Sequence, residues 1–347
     1  MNKGVRNDLS FVSSRESPKK GERMKKTCMI VLVLLVITVF SAACVQNADA
    51  PNPEANNETT GTIRVSGAFA LYPMMVIWAE EYHKIHPGVK ILVSAGGAGQ
   101  GMMDVLSGQS DLGMVSRDIY PAEISKGAVW VSVTKDAVVP VMNKNNPVYS
   151  DVLKVGINKS TFSGIFIGEN VTNWGMIVNK PEIRDKIRVY TRSDASGAGE
   201  IWAKYLGNYT QNDLRGTGVS GDPGIAGAVK MDTLGIGYNN INFAYDPTTG
   251  KPVDGLGIVP LDLNENGKID PDEDFYETRE GLLHAIDTGK YPSPPARELN
   301  IVAKNTFSGI SRDFIQWILT DGQHYVKNNG YIPLPEESLQ RELQKTG

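Results

Sequence analysis

An α/β fold in two lobes is what this sequence predicts, and three observations carry the prediction. Strand-like and helix-like patterns take turns along the chain, as they do when crossover helices connect strands. From Thr62 onward 286 residues remain, more than one ordinary core encloses, so two lobes are expected. Three glycine-rich loops, at 66–73, 95–101 and 192–199, each stand where a strand runs into a helix.

Residues 1–43 read as an export leader and not as part of the fold. Met24-Lys25-Lys26 gives a short cationic start, residues 28–40 are an apolar run with Thr38 its one polar residue, and Ser41-Ala42-Ala43-Cys44 follows. The run is shorter than the ~20 apolar residues that cross a bilayer, and its small-residue exit matches a secretory signal. A cysteine directly after small residues looks like a lipoprotein signal site, which makes Cys44 the expected lipid-bearing residue; an uncleaved anchor is the alternative. Either way the domain is expected outside the membrane, tied to the outer face of the cell membrane. Residues 44–61, rich in Asn, Pro, Glu and Thr without an apolar period, read as a flexible tether.

Cys28 and Cys44 are the only cysteines. The folded part therefore has no disulfide, and a core of this size needs none. Residues 1–43 carry 8 Lys+Arg and 3 Asp+Glu, leaving 27 against 36, or −9, in the remainder. That balance argues against nucleic acid and anionic lipid as partners, so the membrane is met only through the lipid anchor.

The elements follow in order. A strand is expected at 62–66, where Ile63 and Val65 alternate with polar residues. A helix follows at 73–85, with Pro73 in its first turn and Met74, Ile77, Trp78 and Tyr82 as its stripe. His86-Pro87-Gly88 ends it. A second strand at 89–94, a second helix at 101–106 and a third strand at 111–115 lead to Ser116-Arg117-Asp118. The apolar run 137–142 then reaches Asn145-Asn146-Pro147, a natural crossing to the second lobe. There a strand at 187–190, a helix at 199–206 and a strand at 234–238 are expected, with a return near 246–258. A late amphipathic helix at 313–326 precedes Gly330-Tyr331-Ile332-Pro333. This assigns 62–139 and 251–347 to lobe one and 140–250 to lobe two.

The loops carry the chemistry. A helix start leaves backbone N–H groups unsatisfied and holds the positive pole of the helix dipole, so it suits anions. One glycine loop is commonly only a turn; three, with Arg192 beside the third, point to a cradle for a small oxyanion. Given the acidic surface, local donors must hold it. His83 and His86 read as a solvated helix face. No Gly-x-Ser-x-Gly elbow occurs and the four histidines have no evident nucleophile, so no enzyme is expected.

A second motif lies at 262–273. Asp262, Asn264 and Asn266 offer side-chain oxygens, Lys268 its carbonyl, Gly267 the turn, Asp270 a direct or water-mediated ligand, and Glu273 a bidentate carboxylate. This is the full twelve-residue calcium-loop pattern. With no clear helix before it, it predicts a structural Ca2+ clamp on an insertion in lobe one; an acidic turn is the alternative.

The ordered set "EEYHKIHPGVKI", Gly-Gly-x-Gly, "DLGMVSRDI", "RSDASGAGE", "LGIGY" and "GYIPL" resembles the phosphate-binding-protein family of ABC uptake systems, of type II periplasmic-binding-protein fold. The resemblance spans 62–334. It implies two α/β lobes hinged on crossing strands, an anion held between them, delivery to an ABC permease, and a monomer. The implied ligand set is Ala68, Phe69, Ala70 and Leu71 in the first loop, Gly97, Ala98 and Gly99 in the second, Ser116 and Arg117 after the third strand, and Arg192, Asp194, Ser196, Gly197 and Ala198 in the third loop. The family usually places hydroxyls in the first loop, Ser at Ala98 and Thr at Ala198. Each hydrogen bond to a charged group contributes about 1.5–3 kcal/mol, so these losses weaken binding unless backbone donors compensate. Phosphate is the first expectation. Molybdate, tungstate or sulfate stays open, as do a partly apolar solute lined by Phe69, Leu71 and Tyr72 and a sensor or adhesion lipoprotein on the same scaffold.

Overall fold

The computed structural model describes residues 60–347. The expected leader, Cys44 and the tether up to residue 59 lie outside them. Lobe one opens with β1 (Gly61–Gly67), α1 (Tyr72–Ile85), β2 (Val89–Ala95), α2 (Ala98–Ser107), β3 (Leu112–Val115) and the short α3 (Pro121–Ile124). β1 lies between β2 and β3, parallel to both. Pro73 sits in the first turn of α1 as expected, and Met74, Met75, Trp78, Ala79 and Tyr82 are its buried face. α2 starts earlier than expected, because Gly97 at φ 94° turns the chain directly into the helix.

β4 (Ala128–Asn143) is the long crossing strand. The expected run began at residue 137; the strand extends back through Ser132, Thr134 and Asp136, polar residues that are nonetheless buried. After it come α4 (Tyr149–Val155), α5 (Lys159–Phe166), α6 (Trp174–Ile177), β5 (Arg188–Arg192), α7 (Gly197–Gly207), β6 (Thr217–Val219), α8 (Gly221–Met231), β7 (Gly235–Asn240), α9 (Ile241–Ala244), β8 (Leu256–Ile258) and α10 (Arg279–Asp287). The second core is aromatic: Trp202 meets Phe162 and Phe166 edge-on and stacks on Tyr238. Each such buried ring contributes roughly 1.5–3 kcal/mol through surface removed from water.

The chain returns with β9 (Ala296–Lys304), α11 (Gly309–Leu319) and α12 (Glu336–Gln344). β9 inserts between β3 and β4, antiparallel to both. The strands form one continuous path, β2-β1-β3-β9-β4-β7-β5-β6, with β8 also on β4. β4 and β9 are thus the crossing strands between two α/β lobes, the layout that the resemblance implies.

One expected boundary needs correction. Residues 251–295 were assigned to lobe one, but Leu256, Ile258, Leu261, Tyr276, Leu282 and Tyr291 all pack in the second core. β8 pairs with the far end of β4, at residues 141–143. The apolar residues on both sides of 262–273 feed lobe two, so the insertion decorates lobe two and the return comes only at β9. The expected helix at 313–326 is also shorter. α11 stops at Leu319 and the chain continues in 3-10 turns at Asp321–Tyr325, where Gly322 packs on Trp317. Among the described residues no helix is long and apolar enough to cross a membrane.

Candidate functional site

The three loops meet between the lobes. The first leaves β1 for α1, the second leaves β2 for α2, and the third leaves β5 for α7. Gly97 and Gly99 of lobe one lie against Asp194 and Ala195 of lobe two, and the Gly99 N–H donates to the Ala195 carbonyl at 2.9 Å. A Cβ on Gly97 would stand 2.7 Å from Asp194 Oδ2. One on Gly197 would stand 2.6 Å from the Ser116 backbone carbonyl oxygen, so only glycine lets these backbones approach. Phe69 crosses from lobe one: its ring lies 5.2 Å from the Arg192 guanidinium carbon and meets Phe243 edge-on at 6.4 Å.

The backbone N–H groups of Phe69, Ala70, Ala98, Gly197 and Ala198 find no acceptor among the described residues. Ala98, Gly197 and Ala198 are the first positions of α2 and α7, where the orphan donors of a helix lie. These donors are the part of the expected set left unpaired where the loops meet, and Ser116 lies against Gly197 there. Leu71, Gly99 and Ser196 are placed nearby but use their N–H groups inside the protein, on Ala68, Ala195 and Gln211. The Ser196 hydroxyl caps α7 by accepting from the Gly199 N–H. Ala68 is buried with its N–H on the Met114 carbonyl.

Arg117 is directed elsewhere. Its guanidinium forms a two-pronged bridge with Glu123, at 2.6 and 2.9 Å, and covers the Tyr120 ring at 4.0 Å. Glu123 also accepts from the Tyr120 N–H at the start of α3. A residue six positions on thus claims the charge that the Ser-Arg pair, read alone, offers a ligand.

Arg192 is buried and shared by two carboxylates. Nε and Nη2 donate to Asp194 at 2.8 and 2.5 Å, and Nη1 donates to Asp222 at 2.6 Å. Burial opposes its charge, but Asp222 and Asp194 hold it protonated above its ordinary range. Burial would raise the Asp194 carboxyl; the Arg192 fork and the Gly221 N–H outweigh it and keep Asp194 below the usual value. One cation between two anions leaves the group at −1. With Arg192 already held by two carboxylates, what the loops offer an incoming anion is their backbone N–H donors.

Sequence reasoning missed Asp222, Gln211, Asn240, Asp136 and Arg297. Gln211 bonds three points of the third loop. Asp222 also accepts from the Asn240 N–H and Nδ2, at 2.9 and 2.7 Å. Ser220 before a Gly-Asp-Pro helix start was the only local signal for Asp222; the others lie too far along the chain to announce a contact.

The 262–273 segment is wound on its own carboxylates. Asp262 accepts from the Asn266 and Gly267 N–H groups, and Glu273 from those of Leu263, Asn264 and Asp270. Asp262 and Glu273 are both buried. Lys268, Asn266 and Asn264 side chains all converge on Asp270, which they hold down at about 2. Among the described residues no three His, Cys, Asp or Glu side chains are gathered as a metal centre. The donor chemistry nevertheless fits a hard cation: every candidate ligand atom is a carboxylate, amide or carbonyl oxygen.

A model described as "PBP superfamily domain" matches residues 52–322. The chain belongs to the PBP superfamily. The Phosphate-binding protein PstS of Methanocaldococcus jannaschii is 28% identical, over 92% of this chain and 95% of that protein. The Bacillus subtilis protein of the same name is 24% identical, over 92% and 98%. Among solved structures, a putative phosphate ABC transporter substrate-binding protein from Clostridium perfringens aligns with a TM-score of 0.64 at 24% identity, covering 79% of this chain and all of that one. These comparisons bear out the resemblance and the fold. The superfamily's two-lobed architecture is the one seen here, with the candidate cradle at its strand ends.

Proposed function

We propose that this protein is an extracytoplasmic, lipid-anchored solute-binding protein that captures an inorganic oxyanion, phosphate first, and delivers it unchanged to an ABC permease. The observation that carries the reading is the convergence of unpaired N–H groups from the first loop, α2 and α7 around a buried arginine. The relatives' names support phosphate. Calorimetric titration and a melting screen with phosphate, sulfate, molybdate and tungstate, repeated on Arg192→Ala, test it. Phosphate alone should bind, and the variant should lose it. Silence from all four anions would remove the reading.

We also propose that residues 262–273 hold a structural calcium ion through Asp262, Asn264, Asn266, Asp270, Glu273 and the Lys268 carbonyl. The support is the complete motif and two buried carboxylates already directed inward by loop N–H groups. The ion would supply rigidity to lobe two.

A further inference from the structure

β4 changes partners in a single step. Its pairing with β9 ends at Ala137 opposite Ala296, and its pairing with β7 covers Val138, opposite Asn240, to Met142. Arg297 stands at that step, opposite Asp136 in the β4–β9 register. Its side chain is only 4% exposed. Nε lies 3.1 Å from Asp136 Oδ1, and Nη2 lies 3.4 Å from Asp136 Oδ2. Nη2 also donates to Asn240 Oδ1, and Nη1 reaches the Gly197 carbonyl at 3.5 Å. Asn240 in turn donates to Asp222, which takes Nη1 of Arg192. One buried chain of hydrogen bonds and ion pairs therefore runs from the crossing strands to the arginine of the cradle.

We infer that Arg297 is a positioning residue that couples the angle between the lobes to the anion cradle without touching the anion. The inference rests on the binding reading above. A rigid, planar fork satisfies acceptors on β4, β7 and the start of α7 in one arrangement only. Asp136 Oδ1 and Arg297 Nε, though close, make no well-directed hydrogen bond with each other. The ion pair therefore does not fix the fork by itself, and Asn240 and Gly197 set its orientation. Rotation of the lobes about β4 and β9 pulls the fork from one acceptor set. That leaves N–H groups of a buried guanidinium without their acceptors while Asp136 stays beside it, which is unfavourable. The arrangement seen here is thereby favoured as a discrete state, and the Asn240–Asp222–Arg192 chain links it to a cradle ready for anion.

The test uses the full chain, the Arg297→Lys variant and the charge-balanced Asp136→Asn/Arg297→Met pair. Phosphate affinity is read by calorimetry, compaction on adding phosphate by small-angle X-ray scattering, and folding by melting temperature. Arg297→Lys keeps the charge and loses the fork. It should fold, bind phosphate at least about tenfold more weakly, a typical coupling between two sites, and lose most of the compaction. The double variant should fold and show the same two defects. If either variant folds, binds phosphate as the parent does and compacts equally, Arg297 only balances a charge and the inference falls. If both fail to fold, Asn240→Ala, which cuts the link to the cradle and leaves the ion pair, is read by the same two criteria. A parent chain that binds no phosphate removes the binding reading and this inference together; unchanged binding in the variants removes the inference alone.

Discussion

Gly221 shows how far one residue can constrain the site. Its φ is +72°, and a Cβ there would stand 2.8 Å from the Phe69 ring. Gly221→Ala therefore meets both a backbone cost of about 1–2 kcal/mol and a displaced Phe69. Thermal unfolding should show the loss of stability, and phosphate affinity should fall with it. An unchanged affinity would mean that Phe69 is not needed to close the cradle. Asp136 gives a pH prediction. Burial, against the pull of Arg297, pushes its carboxyl from 3.8 up to about 6. Between those values the folded protein keeps a proton that the unfolded chain has released. Its contribution to stability thus falls as pH rises through the window and is level above it. In Asp136→Asn that dependence is absent. The melting temperature of the variant relative to the parent should climb between about pH 4 and pH 6.5; a flat difference would contradict the elevated carboxyl.

At the scale of elements, the cap of α7 and the 262–273 loop make separate predictions. Ser196→Ala removes the bond to the Gly199 N–H and should cost about 1 kcal/mol in denaturant unfolding. Calcium should raise the melting temperature and chelator should reverse it, with Glu273→Gln blunting both; no response to calcium would leave the loop as an acidic turn. The elements that sequence patterns revealed are those with strong apolar periods, such as α1 and the Ala137–Met142 end of β4. α8 stayed hidden because Gly221, Pro223, Gly224 and Gly227 mask a helix that buries only Ile225 and Val229 among its apolar residues. The first half of β4 stayed hidden because Ser132, Thr134 and Asp136 look like surface. They are buried by partners supplied from β9 and the C-terminal segment. The cradle's glycine loops were legible because their chemistry is local. Asp222 on Arg192, or Arg297 on Asp136, are contacts across 30 and 161 residues, which no local pattern encodes.

For the whole molecule, ligand binding and folding are linked. Phosphate at about 100 times its dissociation constant should add about 2.7 kcal/mol to stability, a rise of about 4–5 °C for a domain of this size. Arg192→Ala should show none of it. Because β4 runs through both cores, heating should give one calorimetric transition; two would mean that the lobes melt independently. The place of β9 has a further consequence, in the order in which the chain is made. Of the two lobes, lobe one is first to emerge from a ribosome, yet β9, inserted between β3 and β4, is supplied only by residues 296–304. Until those residues arrive, the early strands hold an open edge and cannot complete their sheet. A chain built this way completes its first sheet only when almost all of it has been made.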